Sequence, residues 1–156
     1  MLAGRLEPEL GGHEKYLDII GLNYYHDNQW QYPSGIKIFR SDARYHPLNL
    51  ILREYATRYG RPIFIAETGI ENEARPEWFR YIGEQARVAE ASGVTVEGIC
   101  LYPILNHPGW DDDRHCHNGL WDYPNENGQR EIYAPLAVEI ERQKREFQML
   151  SLAAHN

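Results

Sequence analysis

The sequence predicts an α/β fold built on a parallel sheet, and three observations carry that expectation. Apolar, β-prone runs over residues 17–22, 62–66 and 94–102 alternate with stretches whose apolar residues recur at helical spacing. Each run hands polar or charged residues to its C-terminal end, the end where ligands sit in parallel α/β architectures. Successive strand, helix and strand elements join through right-handed crossovers, which build parallel sheets. A chain of 156 residues accommodates one such domain with its own core.

Residues 1–15 hold Gly4, Pro8, Gly11 and Gly12 among mixed charges without periodicity, so they read as a lead-in loop. Leu17, Ile19, Ile20, Gly21 and Leu22 then form a short buried strand that delivers Asn23, Tyr24 and Tyr25 to its end. Pro33, Ser34 and Gly35 followed by Ile36 and Ile38 mark a small hairpin or irregular excursion. Pro47 opens a helix, where its missing N–H costs little, and Leu48, Ile51, Leu52, Tyr55 and Tyr59 line one face before Gly60 stops it. Ile63, Phe64 and Ile65 read as a strand buried on both faces. It ends in Ala66, Glu67 and Thr68, with Gly69 permitting the turn. Pro76 opens the next helix, with Trp78, Ile82, Ala86 and Ala89 on one face and Gly93 as its C-cap. A third strand spans Val94 to Tyr102, a polar and aromatic loop fills 103–130, and a last helix from Pro135 aligns Leu136, Ile140, Phe147 and Leu150. The expected organisation is one region, with β/α units over 16–150 and a tail at 151–156. Three units do not close a barrel, which needs eight, so the chain forms either a small open sheet or the last part of a larger barrel.

Composition narrows the function classes. With 23 Asp and Glu against 16 Lys and Arg, the chain has no general affinity for nucleic-acid phosphates or anionic lipid. No apolar run approaches the roughly 20 residues that span a bilayer, and the N-terminus lacks a basic patch followed by an apolar segment, so a cytoplasmic location is expected. Cys100 and Cys116 do not make a disulfide framework and read as free thiols. The 11 Tyr and 4 Trp outweigh the 4 Phe, which favours surfaces that stack on sugars or other amphipathic ligands.

Glu67 is the first candidate for chemistry, because a carboxylate at the end of an apolar strand can act as nucleophile, general base or metal ligand. The competing reading is a strand-end Glu that is solvated or paired with a neighbouring Arg. His107, Asp111, Asp112, Asp113, His115, Cys116 and His117 supply metal-ligand types, but their spacing matches no common zinc module, so neither a metal nor a cofactor is expected. His26, Asp27 and Trp30 are the site to expect if the chain is an unrelated open α/β domain; otherwise His26 and Trp30 form a flanking wall.

These strand ends resemble a known family. Asp18 through Tyr25 is similar to the sixth-strand segment of family 1 glycoside hydrolases, the β-glucosidase family. Phe64 to Gly69 resembles the seventh-strand segment, which presents the catalytic nucleophile as a Glu followed, after one residue, by Gly. Gly98 to Tyr102, with the loop through Trp110 to Gly119, is similar to the eighth strand and its sugar-binding loop. The resemblance implies a partial (β/α)8 (TIM) barrel, its last three β/α units with a long loop after the final strand. It implies retaining hydrolysis of a carbohydrate substrate with Glu67 as nucleophile and Tyr25 donating a hydrogen bond that holds its rotamer. Asn23 would shape the floor, Tyr102 and Trp110 would stack on the sugar, and Asn106, His107 or Asp111 would reach hydroxyl groups. Tyr24 points the other way by strand alternation and is assigned to packing.

The sequence also departs from the family. Ala66-Glu67-Thr68-Gly69 stands for Thr-Glu-Asn-Gly, Tyr102-Pro103 for Trp-Ser, and Gly109-Trp110 for the Glu-Trp sugar clamp, which leaves the sugar unspecified. The family's acid/base Glu lies in an Asn-Glu-Pro segment, and that string is missing. Glu71 and Glu73 read as solvated loop residues. The chain alone should therefore be a weak glycosidase or none, completed by an N-terminal half-barrel partner or by self-association. The alternative is a carbohydrate-binding or regulatory module that kept the aromatic floor and lost hydrolysis.

Overall fold

The computed structural model describes residues 1–153. Its elements run β1 (Ile20–Asn23), β2 (Trp30–Gln31), β3 (Ile36–Lys37), α1 (Leu48–Tyr59), β4 (Ile63–Thr68), α2 (Arg75–Ala91), β5 (Val96–Leu101) and α3 (Ala134–Ala153). The parallel sheet has the order β1-β4-β5, and β2 and β3 pair as an antiparallel hairpin. The alternation read from the sequence is thus realised, with narrower strands. Glu14–Tyr16 forms a 3-10 turn, capped by the His13 ring accepting from the Lys15 N–H, and Leu17 closes it, so β1 begins only at Ile20. At the other end α3 takes residues 151–153 from the expected tail, and residues 154–156 lie outside the described residues.

The core forms where one face of the sheet meets α1 and α2. Ile20, Ile63 and Ile65 from the sheet are buried against Leu48 and Leu52 of α1 and against Trp78, Ile82, Ala86 and Ala89 of α2. The helical periodicity had marked all six of those helix residues. Gly60 adopts φ 62° as the C-cap of α1, the conformation that an L side chain avoids.

The other face of the sheet is open. Gly21, Asn23 and Cys100 are exposed there, and β1 and β5 are both edge strands. Parallel sheets are ordinarily covered on both faces. Among the described residues, no helix is long and apolar enough to cross a membrane.

α3 corrects the apolar stripe expected of it. Leu136 is buried, but Ile140 and Phe147 are half-buried and Leu150 is exposed. The remaining buried positions are polar: Glu139 is 3 % and Gln143 2 % exposed. Gly83 of α2 explains the register, since a Cβ there would overlap the Gln143 side chain. Glu139 accepts hydrogen bonds from Arg80 (3.0 Å), Arg142 (2.8 Å) and Gln143 (2.6 Å). Burial alone would raise its pKa, but the bonds from Arg142, Arg80 and Gln143 together prevail and lower it to about 2. Its folded value lies below the ordinary one, so its stabilisation is present above about pH 4.5 and is lost as pH falls toward 2. Glu139→Gln is expected to cost about 2 kcal/mol at pH 7 and much less at pH 3, measured by urea unfolding at both pH values.

Candidate active site

The carboxyl ends of β1, β4 and β5 face an open cavity of ≈ 460 Å³. Its wall takes Tyr25, His26 and Asp27 from beyond β1, Gly69 to Glu71 from beyond β4, and Tyr102, His107, Trp110, Asp111, Arg114 and Asn118 from the loop after β5.

Glu67 reaches this side of the sheet through an irregularity in β4. Regular alternation would set Glu67 on the face of Ile63 and Ile65, pointing into the helices. The register of β4 shifts against both neighbours near this point: Leu22 pairs with Ile65 but Asn23 with Glu67, and Ile65 pairs with Ile99 but Thr68 with Leu101. The extra residue reverses the faces, as a β-bulge does. Thr68 becomes fully buried and its Oγ1 accepts from the Trp78 indole N–H at 2.9 Å. Glu67 turns the other way, and the Tyr25 hydroxyl donates to its Oε2 at 3.0 Å. Burial first, and then the bond to Glu67, raises the Tyr25 phenol well above its ordinary pKa, so it stays protonated and remains a donor.

Tyr24 takes the packing side, as alternation predicts. It is 5 % exposed and stacks on Trp78, with ring centroids 6.0 Å apart. Its hydroxyl joins that of Tyr45 at 2.7 Å, and Tyr45 joins Tyr81 at 2.7 Å. This chain of phenols ties the segment after β1 to α2.

The loop after β5 contributes an aromatic wall. Tyr102, His107 and Trp110 succeed one another with centroids 6.2 and 6.1 Å apart. His107 lies 2.6 Å from the Pro108 carbonyl through Nδ1 and 3.2 Å from Asn118 Nδ2 through Nε2. A carbonyl can only accept, so Nδ1 carries the proton and Nε2 accepts. Asn118 Oδ1 is buried without a hydrogen-bond partner among the described residues, an acceptor on a side chain of the cavity wall. Trp110 is 85 % exposed and Asp111 is exposed at the rim.

Several site expectations need correction. Asn106 is 4 % exposed and committed to the loop: its amide donates to Asp122 at 2.7 Å and accepts from the Gly119 N–H at 2.6 Å, leaving it outside the cavity wall. Glu71, expected to be solvated, lines the cavity and holds Arg114 through two bonds of 2.6 and 2.9 Å. Hydrogen bonding by Arg114 keeps the Glu71 carboxyl below its ordinary pKa. Asn23 and Glu67 are register partners at the strand ends and both stand outside the wall, to which Glu67 is joined through its bond from Tyr25; Asn23 is exposed. Of the expected flanking residues, His26 belongs to the wall and Trp30 does not, while Asp27 lines it beside His26. Among the described residues, no group of three or more His, Cys, Asp or Glu stands where it could hold a metal ion. Cys100 and Cys116 are free, the first exposed and the second buried.

No family model matches the chain, and no curated protein matches it. Solved structures do. A β-glycosidase from Thermosphaera aggregans aligns with 82 % of this chain and 32 % of its own at 19 % identity, with a TM-score of 0.58. The family 1 β-glucosidase from Thermotoga maritima aligns over 82 % and 35 % at 18 % identity, TM-score 0.59. Fpglu1 from Fervidobacterium pennivoraus aligns over 92 % and 38 % at 16 % identity, TM-score 0.61. The fold is that of part of a β-glucosidase. This chain spans about a third of the length of the β-glucosidase chains it matches. The fold likeness agrees with the family resemblance seen at the strand ends.

Proposed function

We propose that this chain carries the nucleophile side of a retaining O-glycoside hydrolase of β-glucosidase type, the last three units of a barrel whose other strands supply the acid/base. The observation that carries this reading is the Tyr25–Glu67 bond at the strand ends, beside an aromatic-walled cavity. In the first step a Glu67 oxygen attacks the anomeric carbon. The glycosidic C–O bond breaks, and the leaving oxygen departs with its electron pair and takes up a proton. Water then cleaves the glycosyl-enzyme ester. Tyr102 and Trp110 offer faces for the sugar ring, and His107 and Asp111 offer polar contacts to its hydroxyls.

The motif of the acid/base is missing, and two carboxylates of the cavity wall are poorly suited to replace it. An acid must be protonated at working pH. Asp27 is held ionised by Lys37, 2.9 Å away, and Glu71 by Arg114. That favours a second reading, in which the chain alone binds carbohydrate without hydrolysing it. Aryl glycosides with good leaving groups need little protonation and separate the two. Intact-protein mass spectrometry should find one glycosyl adduct, and peptide mapping should place it on Glu67. Binding without an adduct supports the module, and neither binding nor adduct overturns both readings.

A further inference from the structure

We propose that the Glu71–Arg114 ion pair positions the Trp110 face of the cavity, so that affinity for an uncharged sugar depends on ionic strength. This deepens the carbohydrate-site reading above and rests on it.

Trp110 sits at the tip of a small hairpin within the loop after β5. Pro108 and His115 bridge in antiparallel fashion, and the Gly109 N–H donates to the Arg114 carbonyl at 2.8 Å. Residues 110–113 form the tip, and Trp110, Asp111, Asp112 and Arg114 line the cavity. A flat ring gains most from stacking on a sugar when it is already held in place, because ordering it on binding offsets part of the contact energy.

The base of the loop and its tip are held differently. At the base, Arg75 is 8 % exposed and donates to the Gly119 carbonyl at 2.6 Å and to the Asn72 carbonyl at 2.7 Å, with its guanidinium 3.6 Å from the Tyr133 ring centre. The Asn72 N–H donates to the His117 carbonyl at 2.8 Å, and His115 stacks on Tyr123. These partners are buried or uncharged, so salt screens them little.

At the tip, Arg114 bonds both carboxylate oxygens of Glu71, at 2.6 and 2.9 Å. Among the described residues this is the one ion pair that joins residues 108–115 to another part of the chain. Glu71 stands between β4 and the 3-10 turn Asn72–Ala74, so the pair ties the aromatic tip to the strand that carries Glu67. A two-pronged guanidinium–carboxylate bond fixes direction as well as distance. Yet the two side chains are 56 % and 35 % exposed. Exposed pairs contribute little to global stability and weaken in salt, so salt should loosen Trp110 without unfolding the chain.

Titration calorimetry of the full chain with the phenyl β-glycosides of glucose, galactose, mannose and xylose tests this, since none of them is charged. The tightest is expected to bind about three- to fivefold more weakly at about 1 M salt than at about 0.01 M, as the screening length falls from about 30 to about 3 Å. Glu71→Met, Arg114→Met and the double variant should each lose about fivefold at low salt, equally and without additivity, and lose nothing further at high salt. Their urea midpoints should match wild type. Trp110→Ala should also abolish the salt dependence, because the ring that the pair positions is gone. Wild-type affinity that ignores salt, or Glu71→Met with wild-type affinity, would overturn the positioning role and leave the sugar site standing. A loss confined to Arg114→Met would overturn it too, by showing that the guanidinium meets the sugar itself. Failure of every glycoside to bind the wild-type chain would remove the carbohydrate site, and the positioning role with it.

Discussion

Gly69→Ala is expected to destabilise the native state by at least about 3 kcal/mol, measured by urea unfolding, and to abolish Glu67 labelling in whatever fraction remains folded. The residue follows β4 directly, and a Cβ on it would overlap the Tyr102 carbonyl oxygen. That oxygen belongs to backbone, so no rotamer change relieves the overlap. The β4 and β5 ends must separate, which endangers the Tyr102 N–H bond to the Thr68 carbonyl, now 2.9 Å. The same separation draws Tyr102 away from the cavity and disturbs the irregular register that aims Glu67. Stability and chemistry thus fall together. Wild-type stability in Gly69→Ala would refute the close approach.

Tyr25→Phe is expected to act on chemistry alone. Its hydroxyl makes the 3.0 Å bond to Glu67, and the rest of the side chain is retained by Phe. A hydrogen bond to an ionised group contributes about 1.5–3 kcal/mol, so the rate of Glu67 labelling by an activated aryl glycoside should fall about 10- to 100-fold. The unfolding midpoint should stay near wild type, because both side chains are only half-buried. Glu67→Gln should give no adduct. Equal labelling rates for Tyr25→Phe and wild type would show that the phenol does not position the carboxylate.

Apolar periodicity made the helices and strands legible. Leu48, Leu52, Trp78 and Ile82 stand where their spacing puts them, since burial of one helix face decides their position. It failed on α3 for the same reason. Counting apolar residues cannot find a stripe in which Glu139 and Gln143 are buried by virtue of Arg80, Arg142 and the missing side chain of Gly83. Glu67 was legible as a strand-end acid, but its direction was not, since that depends on a register shift between strands some forty residues apart in sequence. The Glu71–Arg114 pair and the loop-bound role of Asn106 were likewise beyond reach. They come from the path of a long loop, where no period links sequence to neighbour. Their nearest sequence signal was composition: an acid-, His- and Asn-rich segment after the third strand.

The bare face of the sheet has a practical corollary. Cys100 sits there in solvent, whereas Cys116 is 3 % exposed, so a thiol-reactive dye would modify the first selectively. A fluorophore on that strand would sense the arrival of any polypeptide at this face, and so report association of a complementing part directly.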